Sequence, residues 1–480
     1  MSFKPVFFIN GILLLILSAA MFLPVIIDLA HGSGDWKVFA SAQLITAFVG
    51  FALIFANRED SFSLNLRQTF VLTSVSWVFM TAFAALPFCF SEVQLSYTRA
   101  FFEAMSGLTT TGSTVISGLD DLSKGILLWR AMLEWLGGIG FLVVALAVLP
   151  LLQVSGMQIF KTQSFGMEKV LPSAQQMAFY ILMLYVCLTL TCAILLFAAD
   201  MSLFDAFCHA MTTVATGGFA NYDNSIGHFK SATVDWIIIS FMWLGALPFV
   251  QYVRMLKGNS RAVIDDVQVR TFFGILFSLS TIVALYLVYT DQKPFLDAAR
   301  SAIFMLTTLM TTAGFASGDY GSWGPLAVGV AFVAMYLGAC SGSTAGGIKT
   351  FRLQILWAML QQQVRKLIVP HGVFQVHYNK KVVDSDVLTS VAVFFFVHIM
   401  TWLVVTILLH MTGLDFTTAV SAAITAVSNV GPGLGPIIGP SGNFAPLPDS
   451  AIWILSVAML LGRMEFLTLF VLLAPRFWRD

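Results

Sequence analysis

The pattern A-x5-[ST]-x3-[TN]-x-G occurs four times in this chain, ending at Gly112, Gly218, Gly314 and Gly431. The polar residue two positions earlier is Thr110, Thr216, Thr312 or Asn429. Six earlier stands Ser106, Thr212, Thr308 or Thr425, and twelve earlier Ala100, Ala206, Ala302 or Ala419. The glycines are 106, 96 and 117 residues apart, the spacing of a structural unit rather than of a short motif. A second signal runs in step with the first. Leu136-Gly137, Leu244-Gly245, Leu337-Gly338 and Leu461-Gly462 follow the loop glycines at 24 to 31 residues.

Each repeat sits between long apolar runs. Of 480 residues 58% are hydrophobic and only 10% charged, against about 25% charged in a soluble domain. Runs of about 20 apolar residues span a bilayer, and ten are expected, near 7–30, 37–56, 69–91, 126–150, 176–199, 232–255, 271–290, 325–360, 386–412 and 449–475. The first is read as retained rather than cleaved. Two spans thus precede four helix–re-entrant-loop–helix units. The expected division is 1–67 for the two-helix segment, then 68–175, 176–262, 263–382 and 383–480 for the repeats. The fold class is all-α membrane protein, with the repeats in a pseudo-fourfold arrangement around one pore.

Lys and Arg set the orientation. Lys4, Arg58, Arg67, Lys161, Lys169, Arg254, Lys257, Arg261, Arg270, Arg365, Lys366, Lys380, Lys381, Arg476 and Arg479 fall on one side. Lys37, Arg99, Lys124, Lys230, Lys293 and Arg300 fall on the other. Fifteen against six places both termini in the cytoplasm. A net charge of zero gives no basic signal for nucleic acid. The five cysteines lie in or beside apolar runs without metal-ligand spacing, and no histidine cluster, paired-carboxylate site or catalytic triad is present. An enzyme is not expected.

Non-helical backbone at membrane depth is tolerated where it lines a water-filled cavity or is buried in protein. Four such segments around one axis make a ring whose carbonyl oxygens replace a cation's hydration shell, with glycine permitting the backbone turn. A short helix preceding each loop would aim the negative end of its dipole at the ion. The candidate filter is Thr110-Thr111-Gly112, Thr216-Gly217-Gly218, Thr312-Ala313-Gly314 and Asn429-Val430-Gly431. None of the four reads TVGYG, so only moderate discrimination of K+ from Na+ is expected. Glu103, Asp205, Asp297 and Asp415, near the starts of the short helices, are read as dipole partners or as acids at the outer mouth, with Asp120, Asp121, Asp223 and Asp319 adding to them.

The loops TTTGST, ATGGFANYDNSIGHF, TTAGFASGDYGSWG and SNVGPGLGP resemble those of the Trk/Ktr/HKT superfamily of potassium transporters. With the two extra N-terminal spans, the resemblance points to the bacterial Trk branch and covers nearly the whole chain. It implies gated uptake of K+, with K+ as transported ion and no covalently bound cofactor. It further implies a homodimer in the bacterial inner membrane and a cytoplasmic TrkA-like regulatory subunit with nucleotide-binding domains. The alternative is a symporter coupling K+ to H+ or Na+.

Two intramembrane features are candidate gates. Arg463 follows Leu461-Gly462, where the other repeats carry Gly138, Ala246 and Ala339. An Arg at membrane depth is costly and marks function, here a barrier in the conduction path. The competing role is an ion pair with Glu465 or Glu134. The second is Gly338–Lys349, reading GACSGSTAGGIK, which breaks the span 325–360. The resemblance implies that Gly338, Ser341, Gly342, Ser343, Thr344, Ala345, Gly346, Gly347 and Lys349 form a gating loop under the filter; the alternative is close helix packing by small residues, and Lys349 is read as facing the cytoplasmic vestibule. Its likeness to a phosphate-binding loop lacks the preceding strand that such a loop needs.

Overall fold

The computed structural model describes residues 3–58, 64–147, 174–291, 294–379 and 381–479. Lys161, Lys169, Lys293, Lys380 and the end of the expected span 126–150 lie outside them. The molecule is a multi-pass helical membrane protein. Among the described residues, six helices are long and apolar enough to cross a bilayer unbroken: Lys4–His31, Trp36–Ala56, Arg67–Phe90, Gln176–Ala198, Val267–Thr290 and Ser385–Met411. Leu44, Phe48 and Phe55 on the second of these are at least 70% exposed, a patch that water would not support and lipid does.

Each repeat contributes a first helix, a short helix, a loop and a second helix. The short helices are Tyr97–Leu108, Leu203–Val214, Phe295–Met310 and Phe416–Ser428. Two are started by side-chain caps: Ser202 Oγ accepts from the Asp205 N–H at 3.1 Å, and Asp415 Oδ2 from the Thr418 N–H at 3.0 Å. The second helices begin at Lys124, Ala232, Pro325 and Asp449.

The packing order closes a circle. The second helix of the first repeat touches the short helix of the second, and the same holds from second to third and from third to fourth. The second helix of the fourth repeat then touches the short helix of the first. The N-terminal helix pair packs outside this circle against the first repeat, where Phe39 meets Trp129 edge-on at 6.2 Å and the Trp129 indole donates to the Ala84 carbonyl at 3.1 Å.

Three second helices break near the Leu-Gly pair. The break in the third, from Tyr336 to Thr350, is the one expected from its glycines. The spans 232–255 and 449–475 are not continuous as expected. Ala232–Ala246 and Phe249–Leu256 meet at 88°, because Pro248 has no N–H to continue the ladder. Asp449–Arg463 ends before Glu465 and Phe466, both at positive φ, and helix resumes at Leu467.

Candidate functional site

Each short helix ends in the same way. The N–H of Thr111, Gly217, Ala313 and Val430 bonds the carbonyl five residues back, on Ser106, Thr212, Thr308 and Thr425, at 2.8–2.9 Å. The N–H of Thr110, Thr216, Thr312 and Asn429 bonds the carbonyl three residues back, at 2.9–3.3 Å. This is a Schellman motif, whose left-handed residue is usually glycine. Here it is Thr110, Thr216, Thr312 and Asn429, with φ of 50°, 51°, 57° and 55°. A β-branched residue in that region is strained, at a cost of order 1–3 kcal/mol, whereas asparagine enters it more readily. Three threonines and one asparagine share this left-handed conformation at equivalent positions of the repeat pattern. Two residues on, Gly112, Gly218, Gly314 and Gly431 are again at positive φ, 83°, 90°, 82° and 111°. Alternating handedness turns successive peptide groups the same way, N–H groups to one edge and oxygens to the other.

The four glycines meet. A Cβ on Gly112 would overlap the carbonyl oxygen of Gly217, and one on Gly218 that of Ala313. On Gly314 it would lie 2.5 Å from the Val430 oxygen, and on Gly431 2.8 Å from the Thr111 oxygen. Each repeat's glycine therefore abuts the residue one before the glycine of the next, and the fourth returns to the first. Glycine is required twice over here, by φ and by space. Side chains tie the ring further: Asn429 Nδ2 donates to Thr111 Oγ1 at 3.0 Å and to the Met459 carbonyl at 2.9 Å, and Ser113 Oγ donates to the Gly431 carbonyl at 2.8 Å. The four glycines line a cavity of about 70 Å³ that opens to the protein surface, with Tyr222, Asp223 and Asn443 among its walls. That is room for a few water molecules.

The Leu-Gly repeat also has a steric reason. A Cβ on Gly137, Gly245 or Gly462 would press on the carbonyl of Leu108, Val214 or Val427, near the end of the short helix of its own repeat. Gly338 instead lies against Gly346, Gly347 and Ile348, because the loop between Tyr336 and Thr350 folds back there. Its ends are joined by the Gly338 N–H to the Ile348 carbonyl at 2.9 Å and the Thr350 N–H to the Ala339 carbonyl at 3.0 Å.

That loop lies directly beneath the ring and is buried from Gly338 to Lys349, apart from a partly exposed Gly347. Gly346 N–H donates to Thr312 Oγ1 at 2.6 Å, and a Cβ on Gly346 would sit 2.7 Å from the Ser428 carbonyl. Thr344 Oγ1 lies 3.1 Å from Thr216 Oγ1, 3.1 Å from the Val214 carbonyl and 3.0 Å from the Gly245 carbonyl. Ser343 Oγ bonds the Cys340 carbonyl at 2.6 Å, and the Ser341 N–H bonds Gln268 Oε1 at 3.0 Å. The loop also supplies what the broken helix of the second repeat lacks. Cys340 and Thr344 N–H groups bond the Ala246 and Gly245 carbonyls at 3.3 and 3.2 Å, and the Gly342 carbonyl accepts from Phe249 N–H at 2.9 Å. Backbone groups freed at membrane depth are thus satisfied by protein.

Several expected placements are corrected. Lys349 does not face an open vestibule. It is buried, donates to the Ala345 carbonyl and precedes the helix Thr350–Ile368. Neither proposed carboxylate pairs with Arg463 in the bonds seen here. Glu465 bonds Arg352, because the chain turns after Met464, and Glu134 accepts from the Phe219 N–H at 3.1 Å. Arg463 Nη1 instead donates to the Thr344 carbonyl at 3.2 Å, so the two candidate gates touch. Glu103 is no mouth acid: it is fully buried and bonds Arg130 Nε at 2.9 Å. Asp205 is buried as well, accepting from Ser202 Oγ at 2.6 Å, Asn221 Nδ2 at 2.8 Å and Tyr222 Oη at 3.0 Å. Burial and the Asp205 carboxylate push the Tyr222 phenol up to about 12, which keeps it a donor. Asp297 and Asp415 remain at helix starts. Asp120 and Asp223 bind backbone N–H groups of the outer loops.

The sequence assigned no role to Arg130 or Arg352, offered Glu134 only as a partner for Arg463, and gave no sign of the left-handed backbone at Thr110, Thr216, Thr312 and Asn429. The signal for Glu134 was present. Counting from the Leu-Gly pair, the other repeats carry Met242, Met335 and Met459 there, so one unit places an acid where three place an apolar side chain.

Residues 36–479 match the family model described as TrkH, cation transport protein. The chain is 42% identical to the Trk system potassium uptake protein TrkI of Halomonas elongata, over 99% of this chain and 97% of that protein. It is 34% identical to the Trk system potassium uptake protein TrkH of Escherichia coli K12, over the whole of both. The crystal structure of the potassium transporter TrkH from Vibrio parahaemolyticus superposes with a TM-score of 0.92 at 32% identity, covering both chains completely.

Proposed function

The chain belongs to the TrkH family of cation transport proteins, and from that premise we propose that it takes up potassium through a single gated pore on the axis of its four repeats. The observation that carries this reading is the closed ring in which each repeat's glycine meets the carbonyl oxygen of Gly217, Ala313, Val430 or Thr111 in the next. These oxygens, with those of Thr110, Thr216, Thr312 and Asn429, take the place of water around a dehydrated K+. The short helices end at the ring, so their negative dipole ends favour a cation. The cost being offset is large, since a bare ion moved into low dielectric loses of order 20 kcal/mol.

Below the ring, the loop Gly338–Lys349 and Arg463 form the gate. The loop fills the space under the filter, and Arg463 places a fixed cation beside it. The membrane potential suffices as driving force. One charge gains about 2.3 kcal/mol per 100 mV, so roughly 150 mV supports on the order of 300-fold accumulation. Nothing favours a coupled symporter: the deep carboxylates Glu103, Glu134 and Glu465 are each held by N–H or guanidinium donors. A homodimer, cytoplasmic termini, an inner-membrane site and a cytoplasmic TrkA-like regulatory subunit follow from the sequence resemblance and the Lys and Arg asymmetry.

The test is flux into liposomes containing the purified protein under an imposed potential. K+ entry above that of protein-free vesicles, with Na+ entering at a comparable but lower rate, is expected. No K+ entry would end the reading, and a strictly K+-only flux would remove the claim of moderate selectivity.

A further inference from the structure

One boundary of the ring is braced by ionisable side chains at the level of the filter. Between the first and second repeats lies a buried cluster of three such residues, whereas among the described residues the fourth and first repeats are tied there by the neutral Asn429–Thr111 and Ser113–Gly431 bonds. Glu103, in the short helix of the first repeat, is fully buried. Its carboxylate accepts from the Val115 N–H at 2.9 Å, from Thr114 Oγ1 at 2.9 and 3.1 Å, and from Arg130 Nε at 2.9 Å. Arg130, 1% exposed, crosses to the second repeat. Its Nη1 donates to the Ala220 carbonyl at 2.7 Å, and its guanidinium lies 4.1 Å from the centre of the Phe219 ring. One helical turn on, both oxygens of Glu134 lie 3.1 Å from the Phe219 N–H. A Cβ on Gly217 would collide with that carboxylate, so glycine at this filter position makes room for it.

The bonded backbone groups belong to the strands leaving the filter. Val115 lies three residues after Gly112, and Phe219 and Ala220 lie one and two after Gly218. By register, the place of Glu103 is taken by His209, Met305 and Ala422, that of Arg130 by Ile238, Ala331 and Leu455, and that of Glu134 by Met242, Met335 and Met459. Three buried ionisable groups are costly to bury unless they are bonded. Each of these is bonded to filter-flanking backbone or to its charged neighbour.

We propose that Glu103, Arg130 and Glu134 are positioning residues for permeation: they fix the Gly112 and Gly218 segments so that the Thr111 and Gly217 oxygens keep their ion-binding distance. This rests on the transport reading above. The cluster thus sets the geometry of the half of the ring built from the first two repeats. A residue that merely holds the fold together would change the amount of working protein, and so the maximal flux. A residue that positions the oxygens changes the K+ concentration at which flux is half-maximal.

The experiment measures K+ flux against K+ concentration in liposomes, with Na+ as competitor, for the wild-type protein, Arg130→Lys, Glu134→Gln and the double variant Glu103→Gln/Arg130→Gln. Arg130→Lys keeps the charge beside Glu103 but not a planar fork spanning two partners. Glu134→Gln keeps the size and one accepting oxygen, and serves as the mild variant. The expected result is a rise in half-saturating K+ of at least about fivefold and easier Na+ competition, the scale on which one lost hydrogen bond shifts an equilibrium. Wild-type K+ flux together with unchanged half-saturation in the variants, with only maximal flux reduced, overturns the brace and leaves the transport reading standing. Absence of wild-type K+ flux ends both.

Discussion

Arg463 donates from Nη1 to the carbonyl oxygen of Thr344 at 3.2 Å, while the Thr344 hydroxyl lies 3.1 Å from the hydroxyl of Thr216. Fourth repeat, loop and filter are therefore joined through a single residue of the third repeat. The left-handed backbone at Thr216 sits at the end of this chain of contacts. A movement of the loop would break the Arg463 bond and the Thr216 contact together, and in the reading proposed above this links the gate to the floor of the filter.

Replacing Arg463 with Ala is expected to raise K+ flux. At an effective dielectric near 20 two unit charges repel by about 4 kcal/mol at 4 Å and by about 2 kcal/mol at twice that separation, and the smaller figure serves as the estimate here. Removing it accelerates passage by roughly 30-fold if that barrier limits the rate. Single-protein conductance or initial flux into liposomes measures this, and an unchanged or lower value would show that the guanidinium is not in the path.

Removing part of Ser341–Gly347 is expected to increase leak. These residues occupy buried space beneath the ring, with Gly346 touching Thr312 and the Ser428 carbonyl. The predicted variant passes K+ at rest in vesicles where the intact protein is nearly closed. A leak equal to that of the intact chain would assign the loop a packing role alone.

The repeat pattern made the four-unit architecture legible because glycine at a tight contact leaves no alternative residue. Gly112, Gly218, Gly314 and Gly431 are bound by φ and by a neighbouring oxygen at once, and such double constraint survives in sequence. The broken third helix was legible for the same reason, through its glycines. The break after Arg463 was not: Met464-Glu465-Phe466 contains no glycine or proline, and the turn is held by a long-range pair, Glu465 with Arg352. Pro248 did mark the break in the second repeat, but an apolar run hid it. Glu103 looked like a mouth acid from its place in a helix, and only its three-dimensional neighbours reveal its partner.

Gly218→Ala is expected to abolish K+ transport, since its Cβ would overlap the Ala313 carbonyl at a φ of 90°. Left-handed strain alone is of order 1–3 kcal/mol, and the overlap forces the oxygen of the next repeat to move. Gly274→Ala is the matched control. It lies in the helix Val267–Asp291 with open space around its Cβ, so alanine there stabilises by about 0.5–1 kcal/mol. Uptake in a K+-dependent growth assay should fail for the first and persist for the second. Equal growth would contradict the role given to the ring.

Arg352 and Glu465 form a buried pair, 0% and 6% exposed, with the Arg352 guanidinium 3.7 Å from the Phe394 ring centre. Breaking such a pair from one side leaves an uncompensated charge, at a cost of about 3–5 kcal/mol, whereas replacing both members with apolar residues of similar size is often neutral. Arg352→Met and Glu465→Leu should each lower the midpoint of thermal unfolding in detergent, and the double variant should recover most of the loss. Recovery of stability need not bring recovery of gating. The pair fixes the turn after Arg463, so the double variant is expected to remain folded and show altered resting flux, because Arg463 loses its anchored position. A double variant with wild-type flux would mean that the helix end holds Arg463 in place without help from this pair.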